Sequence, residues 1–401
     1  MFGRELLELG IDACKRFPGP NPSDYSKETC RGGWRIGEGW GAPHWPGRNE
    51  GGMHTTVVIV SPTFGSYGGM EAFALALLRR AETSEEIDLR LCFKRVQGFA
   101  LRPELAAAVA PLCGRIQIVD RGSADLRRNI AAAQVVHAFN ASPDVVALSR
   151  LLRRPLLVHV INHRVAGQSL RQRLWDFCLR RAHRRFYISD FVRKTWEGAA
   201  CWPNSSVVFP TSDLPSGMRP PAERRGFVFA ARWIENKGLE VLVDAYARAN
   251  LDPNKSPLCL IGDGPLRNRV LARIAELGMR GVAAPGFLSQ ELKAEAIRSA
   301  RWLVVPPHTN EDFGLTAIEA RAVGVPCIAT RDGGVPEAAG AEALLCEPRD
   351  IHGLAECLRR ADAMSEAEYM GRAERTWLSL LRELPDAGFY SSVYREMKHA
   401  K

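Results

Sequence analysis

The stretch MHTTVVIVSPTFGSYGGMEAFALALLRRA, residues 53–81, begins the regular pattern of this sequence. Its first part is a run of β-branched residues of strand length, and its last part repeats apolar residues at helical spacing. A glycine-containing loop joins the two parts. A buried strand followed by a short loop and a helix is the first unit of an α/β domain, so the stretch predicts a parallel sheet.

The same alternation continues along the chain in two series. The predicted strands of the first series are 55–61, 88–94, 115–120, 134–139, 155–161 and 184–189. The second series has predicted strands at 226–232, 257–262, 281–286, 302–307, 326–330 and 343–348, and predicted helices at 239–249, 265–277, 290–299 and 315–323. A proline-rich polar break at 213–225 separates the series and is typical of an interdomain linker.

Two Rossmann-like α/β domains that face each other across a cleft are the predicted architecture, with boundaries at 53–217 and 218–384. Ligands of such sheets bind beyond the carboxyl ends of the strands. Residues 385–401 are predicted to form a C-terminal helix that packs back on the first domain. Residues 1–52 are rich in Gly and Pro and are predicted to lie outside the fold. They are either a flexible extension or precede the authentic start of translation at Met53.

Composition limits the class of protein. Of the 401 residues 46% are hydrophobic and 25% charged, as in soluble globular proteins, and no apolar run reaches the ~20 residues of a membrane-spanning helix. The N-terminus lacks the pattern of a secretory signal, so a cytoplasmic protein is expected. The ten cysteines form no Cys-x-x-Cys pair and are interpreted as buried free thiols. The net charge of +9 indicates an anionic partner.

Glu311 and Glu319 stand eight residues apart in the stretch EDFGLTAIEA of the second series. Gly314 lies between them, in the connection from a predicted strand to the next predicted helix. Free backbone N–H groups at a helix start bind anions, and each carboxylate can accept hydrogen bonds from vicinal hydroxyls. The pair therefore fits two polyol groups that flank a phosphate. The spacing alone also permits a solvated loop acid and a helix-dipole partner.

Two cations upstream favour the ligand-binding interpretation. Arg232 directly follows a predicted strand, and Lys237 comes five residues later, before the next predicted helix. Two cations in one strand-to-helix loop are well placed to clamp a diphosphate, the arginine through its fork and the lysine as a point charge.

These segments together resemble a known family. In order and spacing, 226–245, 258–270, 281–307, 311–337 and 343–348 are similar to the donor domain of retaining GT-B glycosyltransferases of the family 4 type, which includes bacterial lipopolysaccharide and capsule enzymes. A weaker similarity is present at 57–80, 134–140 and 184–195. Glu311 through Glu319 matches the Glu-x7-Glu element of that family. The resemblance implies a GT-B fold and transfer of a sugar from a nucleotide-diphosphate sugar to a hydroxyl acceptor in polysaccharide or lipopolysaccharide synthesis.

The resemblance also implies roles for individual residues. Glu311 would contact hydroxyls of the transferred sugar and Glu319 the ribose, while Arg232 and Lys237 would hold the diphosphate. The loop at 286–288 would lie against the base, and two glycines of the first domain would let the backbone approach the phosphates, unless they only form a tight turn. The implied donor-binding positions besides Glu319 are Gly68, Gly69, Gly286, Phe287, Leu288, Phe313, Gly314 and Leu315.

One position departs from the family pattern. Many relatives carry a histidine shortly after the strand that corresponds to RPLLVHVINH, whereas here His159 lies within the predicted strand and His163 just beyond it. His163 is the candidate for facing the reacting sugar. If His163 is a structural or exposed residue, Asn162 or another group must take that place.

The implied chemistry is heterolysis of the bond between the anomeric carbon and the diphosphate, for which fixed positive charge at the leaving oxygen is the useful device. Retention of configuration rests on the resemblance. No nucleophile can be assigned, so a front-face displacement is expected, in which the departing phosphate accepts the proton of the incoming hydroxyl. The sequence contains no Asp-x-Asp motif, so no metal and no other cofactor is expected. The form EDFG leans towards GDP-mannose, and UDP-sugars stay open as donors.

Arginines are concentrated between Arg150 and Arg185, where ten stand against one acid, Asp176. The stretch 169–186 predicts an amphipathic helix with Leu170, Leu174, Phe177 and Cys178 towards one side. Either this side packs on the sheet and the arginines are solvated, or the arginines meet an anionic membrane surface at the inner face of the membrane, where a lipid-linked glycan acceptor would lie. No motif of nucleic-acid recognition accompanies the charge. The membrane-facing candidates are Arg171, Arg173, Arg180, Arg181, Arg184 and Arg185.

Other functions compete for the same fold. A dehydrogenase is disfavoured because the only near-fingerprint, LIGDGPLRNR, has Arg267 where a third glycine is needed. A phosphorylase would need a pyridoxal-binding lysine whose sequence context is not found. A sugar-nucleotide epimerase, or a protein that binds a nucleotide sugar without converting it, remains an alternative.

Overall fold

The protein is described by a computed structural model that covers residues 54–81, 86–167, 169–213, 217 and 224–399. The expectations for residues 1–52 lie outside these described residues. Within them the chain forms two compact units, here called the first domain (54–211 with 385–399) and the second domain (212–384).

Each domain is built on one sheet. The first sheet contains β1 (Thr55–Thr63), β2 (Ile87–Arg95), β3 (Ile116–Val119), β4 (Val135–Phe139), β5 (Leu156–Val160), β6 (Arg184–Tyr187) and β7 (Ser205–Val207). The second contains β8 (Arg225–Ala230), β9 (Leu258–Ile261), β10 (Val282–Gly286), β11 (Ala300–Val305), β12 (Cys327–Thr330) and β13 (Leu344–Cys346). All twelve predicted strands are present, and β7 was not predicted.

All strand pairs in both sheets are parallel. The first sheet has the order β3-β2-β1-β4-β5-β6-β7 and the second β10-β9-β8-β11-β12-β13. Both contain the Rossmann order 3-2-1-4-5-6, which reverses direction next to its first strand. The prediction of two Rossmann-like α/β domains is therefore confirmed, and the reversal points lie between β1 and β4 and between β8 and β11.

Helices connect successive strands. Those of the first domain are α1 (Gly69–Ala81), α2 (Pro103–Val109), α3 (Ala124–Ala132), α4 (Pro143–Leu151), α5 (Leu170–Arg180), α6 (Asp190–Glu197) and α14 (Phe389–Lys398). Those of the second are α7 (Leu239–Ala249), α8 (Arg267–Glu276), α9 (Gln290–Ser299), α10 (Leu315–Ala322), α11 (Val335–Ala339), α12 (Ile351–Ala363) and α13 (Glu366–Glu383). Among the described residues no helix combines the length and the apolar character needed to cross a bilayer.

The central strands are buried on both faces, which explains their continuous apolar runs. In β1 every residue from Val57 to Val60 is almost completely buried, and in β11 Trp302 and Leu303 are fully buried. Glycine loops at the strand ends let the connections pack tightly. Gly238, at the start of α7, has a φ of +70°, and a Cβ there would overlap the carbonyl oxygen of Pro306 beyond β11. The two loops that flank the reversal point of the second sheet are therefore in direct contact.

The C-terminal helix α14 is part of the core of the first domain. Val393, Tyr394 and Met397 are buried in its main hydrophobic cluster. The Tyr394 hydroxyl lies 2.8 Å from Nδ1 of His137 on β4. The ring of His137 stacks at 5.8 Å on the ring of His159, which lies in β5 with Nε2 3.2 Å from the carbonyl oxygen of Val208. His159 is thus a structural core residue.

This histidine pair predicts sensitivity to acid. Burial lowers the pKa of His159 to about 3, and burial together with His159 lowers the pKa of His137 well below its usual range. Below the unfolded pKa of about 6.5 the unfolded chain binds protons that the folded chain cannot bind. The free energy of unfolding should therefore fall as the pH drops from ~6.5 towards ~3, by up to ~1.4 kcal/mol per pH unit for each histidine.

Urea unfolding of wild type and His159→Gln between pH 7 and 4.5 measures this effect. The variant should show a flatter pH dependence than the wild type, whatever its absolute stability. His352→Gln, on the exposed side of α12, is the matched control and should keep the wild-type slope. Equal slopes for wild type and His159→Gln would contradict the assignment of the proton uptake to this pair.

Candidate functional site

The residues that the sequence singled out in the second domain gather at the reversal point between β8 and β11. Beyond the carboxyl end of β8 lie exposed Arg232 and a short 3-10 turn, Glu235–Lys237. Beyond β11 lies the loop that carries Glu311. The carboxyl ends of the two strands adjoin because β8 and β11 are paired in the sheet. Open parallel sheets bind their ligands at such a point.

Lys237 and Glu311 form an ion pair across this point. The Nζ atom of Lys237 lies 2.6 Å from Oε2 of Glu311, and both side chains are largely but not completely buried. The guanidinium of Arg232 has no hydrogen-bond or ion-pair partner among the residues that the structure describes. One fixed cation, one carboxylate and one uncommitted cation therefore lie at the ends of neighbouring strands.

Buried Asp332 fixes the position of the Glu311 loop. Its carboxylate accepts hydrogen bonds from the backbone N–H groups of Asn310 at 2.9 Å and Glu311 at 2.7 Å. The backbone N–H of Gly334 donates to the carbonyl oxygen of Glu311 at 2.9 Å. Gly333 has a φ of +53°, and a Cβ there would overlap the carbonyl oxygen of Glu311. The loop after β12 therefore holds the backbone of Glu311 from two sides.

The helix that follows Glu311 begins with an uncapped turn. Gly314 stands at its start with a φ of 101°, no side chain caps the backbone, and α10 runs from Leu315. The ring of Phe313 is buried and anchors the turn in the core. The amide groups at this end, with the positive end of the helix dipole, provide donors and positive potential of the kind that anions accept.

Glu319 lies on the same helix and is almost completely buried. Its carboxylate is 3.0 and 2.9 Å from Nζ of Lys293 on α9 and accepts a hydrogen bond from the Ser212 hydroxyl at 3.1 Å. Buried carboxylates are stabilised by such donors. A hydroxyl ligand would share the remaining acceptor positions of this carboxylate or displace one of the two donors.

The loop after β10 presents an apolar surface. Gly286 is buried, has a φ of +85° and packs beside the guanidinium of Arg267, whereas the ring of Phe287 is exposed. Leu288 is partly exposed. An exposed aromatic ring is a suitable platform for a planar base.

The first domain places its two predicted glycines at the start of α1. Gly68 precedes the helix and Gly69 is its first residue. A Cβ at Gly68 would lie 3.2 Å from Oε2 of Glu71. Gly65 has a φ of +91°, and a Cβ there would overlap the backbone of Ala100. Gly65 is thus the residue of this loop whose backbone requires glycine, and the sequence did not single it out.

His163 lies in the loop after β5 and is partly exposed. Its ring is 5.8 Å from the ring of Phe191 on α6. The neighbouring Asn162 accepts a hydrogen bond from the Asn140 side chain at 2.9 Å, and its carbonyl oxygen accepts one from the indole of Trp196 at 2.8 Å. Asn162 is therefore committed to holding two strand-end loops together.

The arginine-rich segment corrects the prediction at one position. Arg185 is buried, and its guanidinium donates to the carbonyl oxygens of Ala182 and Pro203 and to the Ser205 hydroxyl. Arg185 therefore cannot face a membrane, because these bonds satisfy it inside the domain. Arg184 is partly exposed and pairs with Glu396 on α14 at 3.0 Å. Exposed side chains remain at Arg171, Arg173, Arg180 and Arg181.

The apolar side of α5 is a second correction. Leu170, Leu174 and Phe177, which one interpretation placed against the sheet, are exposed, and only Cys178 of the four is buried. The helix packs instead through Cys178 and Leu179.

A cavity of about 240 Å³ lies at the opposite edge of the second sheet, at the amino ends of β8 and β11. Three of its four lining cations have partners in the protein. Lys255 pairs with Asp362 at 3.1 Å, Arg301 pairs with Glu366 at 2.8 Å, and Arg224 donates to the carbonyl oxygens of Val323 and Gly324. These contacts show that most of the positive charge of the cavity has a structural role. In the part of the chain that the structure describes, no group of three or more His, Cys, Asp or Glu side chains could hold a metal ion.

Sequence reasoning missed Asp332, Lys293 and Ser212. Asp332 could have been found, because an acid followed by two glycines directly after a buried strand is a typical site loop. Lys293 carries no such signal, since a lysine on an amphipathic helix usually lies at the surface. Ser212 stands directly before the predicted linker, where a polar residue is unremarkable.

Comparisons with known proteins find a family match in the second domain. Residues 216–377 match the family described as Glycosyl transferases group 1. This range contains all the residues described above at the reversal point of the second sheet except Ser212. The chain is 33% identical over 122 residues to the N-acetyl-alpha-D-glucosaminyl L-malate synthase of Bacillus anthracis, covering 30% of this chain and 31% of that protein. It is 32% identical over 108 residues to the O-antigen chain mannosyltransferase C of Escherichia coli, covering 27% and 28% respectively. The chain spans less than half the length of the curated relatives it matches.

A solved structure extends the similarity to both domains. The Anabaena protein Alr3699/HepE, in complex with UDP and glucose, matches with a TM-score of 0.67 over 86% of this chain and 100% of that chain, at 15% identity. At this identity the likeness shows the fold, which is GT-B. The predicted fold class is confirmed, and the second domain carries the similarity to glycosyl transferases of group 1.

Proposed function

We propose that the protein is a glycosyltransferase that moves a sugar from a nucleotide-diphosphate sugar to a hydroxyl acceptor. The observation that carries this proposal is the arrangement at the β8–β11 reversal point. Arg232, the Lys237–Glu311 pair and the uncapped start of α10 lie there together, and Glu319 follows on the same helix. Positive charge for a diphosphate and two carboxylates for polyols are what a nucleotide sugar requires.

Each residue has a role in this proposal. Arg232, Lys237 and the backbone amides of Phe313 to Leu315 hold the diphosphate, and Glu311 contacts the transferred sugar. Glu319 holds the ribose, supported by Lys293 and Ser212. The base lies against the loop Gly286–Leu288. For the first domain we propose that the glycine loop at Gly68 and Gly69 approaches phosphate groups and that His163 contacts a sugar.

The proposed reaction retains the configuration of the sugar. The bond between the anomeric carbon and the diphosphate oxygen breaks, and a bond to the acceptor oxygen forms on the same face. The departing phosphate accepts the proton of the acceptor hydroxyl, so no enzyme nucleophile takes part. Fixed cations stabilise the leaving charge without reorganisation, which is the role that a metal ion fills in other transferases. We therefore propose a reaction that needs neither a metal ion nor another cofactor.

The acceptor in this proposal is a glycan or lipid-linked glycan in cell-surface polysaccharide or lipopolysaccharide synthesis, and the enzyme works in the cytoplasm at the inner face of the membrane. The O-antigen mannosyltransferase relative supports this setting. The neighbour that was solved with UDP and glucose supports a nucleotide-sugar donor, with GDP- and UDP-sugars as the candidates.

A thermal-shift panel tests the donor site. UDP, GDP, ADP and their sugar conjugates are added to wild type, Glu319→Gln and Glu295→Gln, each with EDTA. A ligand at 100 times its Kd adds ~2.7 kcal/mol of stability, so one nucleotide should raise the melting temperature of the wild type clearly. Glu319→Gln should weaken the shift, and Glu295→Gln, a half-buried carboxylate on α9 that pairs with Arg298, should leave it unchanged.

Two results would overturn the proposal. If none of the nucleotides raises the melting temperature, the second domain is not a donor domain. If a sugar nucleotide binds but is neither consumed with a glycan acceptor nor cleaved slowly by water, the protein is a binder and not a transferase. Conversion of the donor into an epimer, detected by NMR of the sugar, would instead establish the epimerase alternative.

A further inference from the structure

Helix α5 (Leu170–Arg180) exposes an apolar stripe. Leu170, Leu174 and Phe177 are 83%, 47% and 53% exposed. They stand at positions i, i+4 and i+7, so they lie on one face of the helix. Scattered exposed apolar residues are normal, but three large apolar side chains in one stripe form a patch that indicates an interaction surface.

The stripe is exposed although the helix itself is held firmly on the domain. Leu179, on the opposite face, and Cys178, at the edge of the stripe, are buried in the domain. Asp176 accepts two hydrogen bonds from Arg164, both at 3.0 Å, which tie the helix to the loop before it. The helix cannot turn its stripe inwards without breaking these contacts.

Cations flank the stripe on both sides. Arg171, Arg173, Arg180 and Arg181 are exposed, and the one acid of the helix, Asp176, is already paired with Arg164. The guanidinium of Arg181 lies 4.5 Å above the ring of Phe177, and that of Arg180 lies 4.0 Å above the ring of Trp202. The exposed face therefore combines an apolar centre with a cationic rim and aromatic rings.

We propose that this face of α5 binds the surface of a bilayer that contains anionic lipids. Leu170, Leu174 and Phe177 enter the boundary between headgroups and acyl chains, and the arginines bind lipid phosphates. An interfacial helix has this layout, with an apolar face at the centre and cations beside it. Trp202, next to Arg180, is of the residue type that is enriched at the headgroup level.

Two other partners fit the same face less well. A second copy of the chain, related by a two-fold axis, would bring the two cationic rims against each other. A nucleic acid would find arginines but would also cover three large apolar side chains without a base-stacking arrangement. A bilayer satisfies the apolar centre and the cationic rim at once.

This inference concerns where the protein works and uses none of the residues proposed to bind the donor. Its test is therefore independent of the transfer reaction. Co-flotation with vesicles of phosphatidylcholine alone, and of phosphatidylcholine with phosphatidylglycerol, measures it directly. The wild type should float with the anionic vesicles, much less with the neutral ones, and less as salt is raised.

Two variants separate the apolar and cationic contributions. Leu174→Ser with Phe177→Ser removes most of the apolar stripe, and Arg173→Gln with Arg180→Gln halves the cationic rim. Each should weaken partitioning into anionic vesicles about tenfold or more. The matched control is Leu378→Ser with Leu381→Ser on α13, where the side chains are 37% and 52% exposed. This control should partition like the wild type.

Several outcomes would overturn the inference. The inference is wrong if the wild type fails to float with anionic vesicles or floats equally with neutral ones. It is also wrong if the variants on α5 float as well as the control. A mass in solution that corresponds to a dimer, and that falls to the monomer in Leu174→Ser with Phe177→Ser, would assign the stripe to self-association. Melting temperatures of all variants check that the first domain is folded.

Discussion

Exchange of Lys237 for methionine should lower the rate of sugar transfer about 100- to 1,000-fold, which corresponds to ~2.7–4 kcal/mol of transition-state stabilisation. Methionine keeps the length and much of the volume of the side chain and removes its charge. The ammonium group lies 2.6 Å from Glu311 at the reversal point, in a largely buried position where little water screens it. In the proposed reaction it stabilises the charge that develops on the departing diphosphate.

The rate is measured as donor consumption with the nucleotide sugar that the thermal-shift panel identifies. Lys255→Met is the matched control, because Lys255 also forms an ion pair, with Asp362, but at the opposite edge of the same sheet. This control should keep the wild-type rate. A loss of less than about tenfold in Lys237→Met, with the fold intact, would remove Lys237 from the chemistry.

A double-mutant cycle with Glu311→Gln distinguishes two ways in which Lys237 could act. If Lys237 only holds Glu311 in place, Lys237→Met should lower the rate little further once Glu311 has been replaced. If it also stabilises the leaving group, the two losses should be closer to additive. The proposed mechanism requires the second result.

Replacement of Gly333 by alanine should damage both stability and activity. The residue has a φ of +53°, and the new Cβ would overlap the carbonyl oxygen of Glu311. The loop after β12 must then move away from the Glu311 loop, which loosens the two backbone hydrogen bonds to Asp332 and the one from Gly334. We expect a loss of roughly 2–4 kcal/mol in the free energy of unfolding and a rate at least about tenfold lower.

Gly278 provides a matched control for this substitution. It has nearly the same backbone conformation, with a φ of +58°, but a Cβ there would meet nothing within 4 Å. Gly278→Ala should therefore cost only the conformational penalty of ~1–2 kcal/mol and leave the rate unchanged. Equal losses of stability in the two variants, or an unchanged rate in Gly333→Ala, would show that the packing of these loops does not position Glu311.

The sequence predicted the fold, and it predicted that the candidate residues of the second domain gather at one end of its sheet, because both depend on local patterns. Alternating strands and helices specify a parallel sheet, and the strand-to-helix loops with Arg232, Lys237 and Glu311 necessarily lie at one edge of it. Asp332 and Lys293 were missed because their roles depend on which loop or helix lies opposite them in the folded chain. No pattern along the sequence shows that the Lys293 side chain reaches Glu319.

The arginine-rich helix shows a second limit. Its sequence places Leu170, Leu174, Phe177 and Cys178 towards one side of the helix and Leu179 towards the other. Helical periodicity identifies these sides but does not decide which of the apolar residues the domain buries, since this depends on the neighbouring elements. Arg185 was misplaced for a similar reason, because the predicted strand 184–189 does not show that Ala182, Pro203 and Ser205 surround this side chain in the folded domain.

The packing of α14 in the first domain affects when this domain can complete its folding during synthesis. Val393, Tyr394 and Met397 complete the hydrophobic cluster of a domain whose other residues end at Thr211. A ribosome that adds ~5–20 residues per second needs roughly 10–40 s to reach these residues after Thr211. The core of the first domain therefore lacks the residues of α14 while the second domain is synthesised. The apolar surface that α14 will cover is exposed to chaperones during that interval.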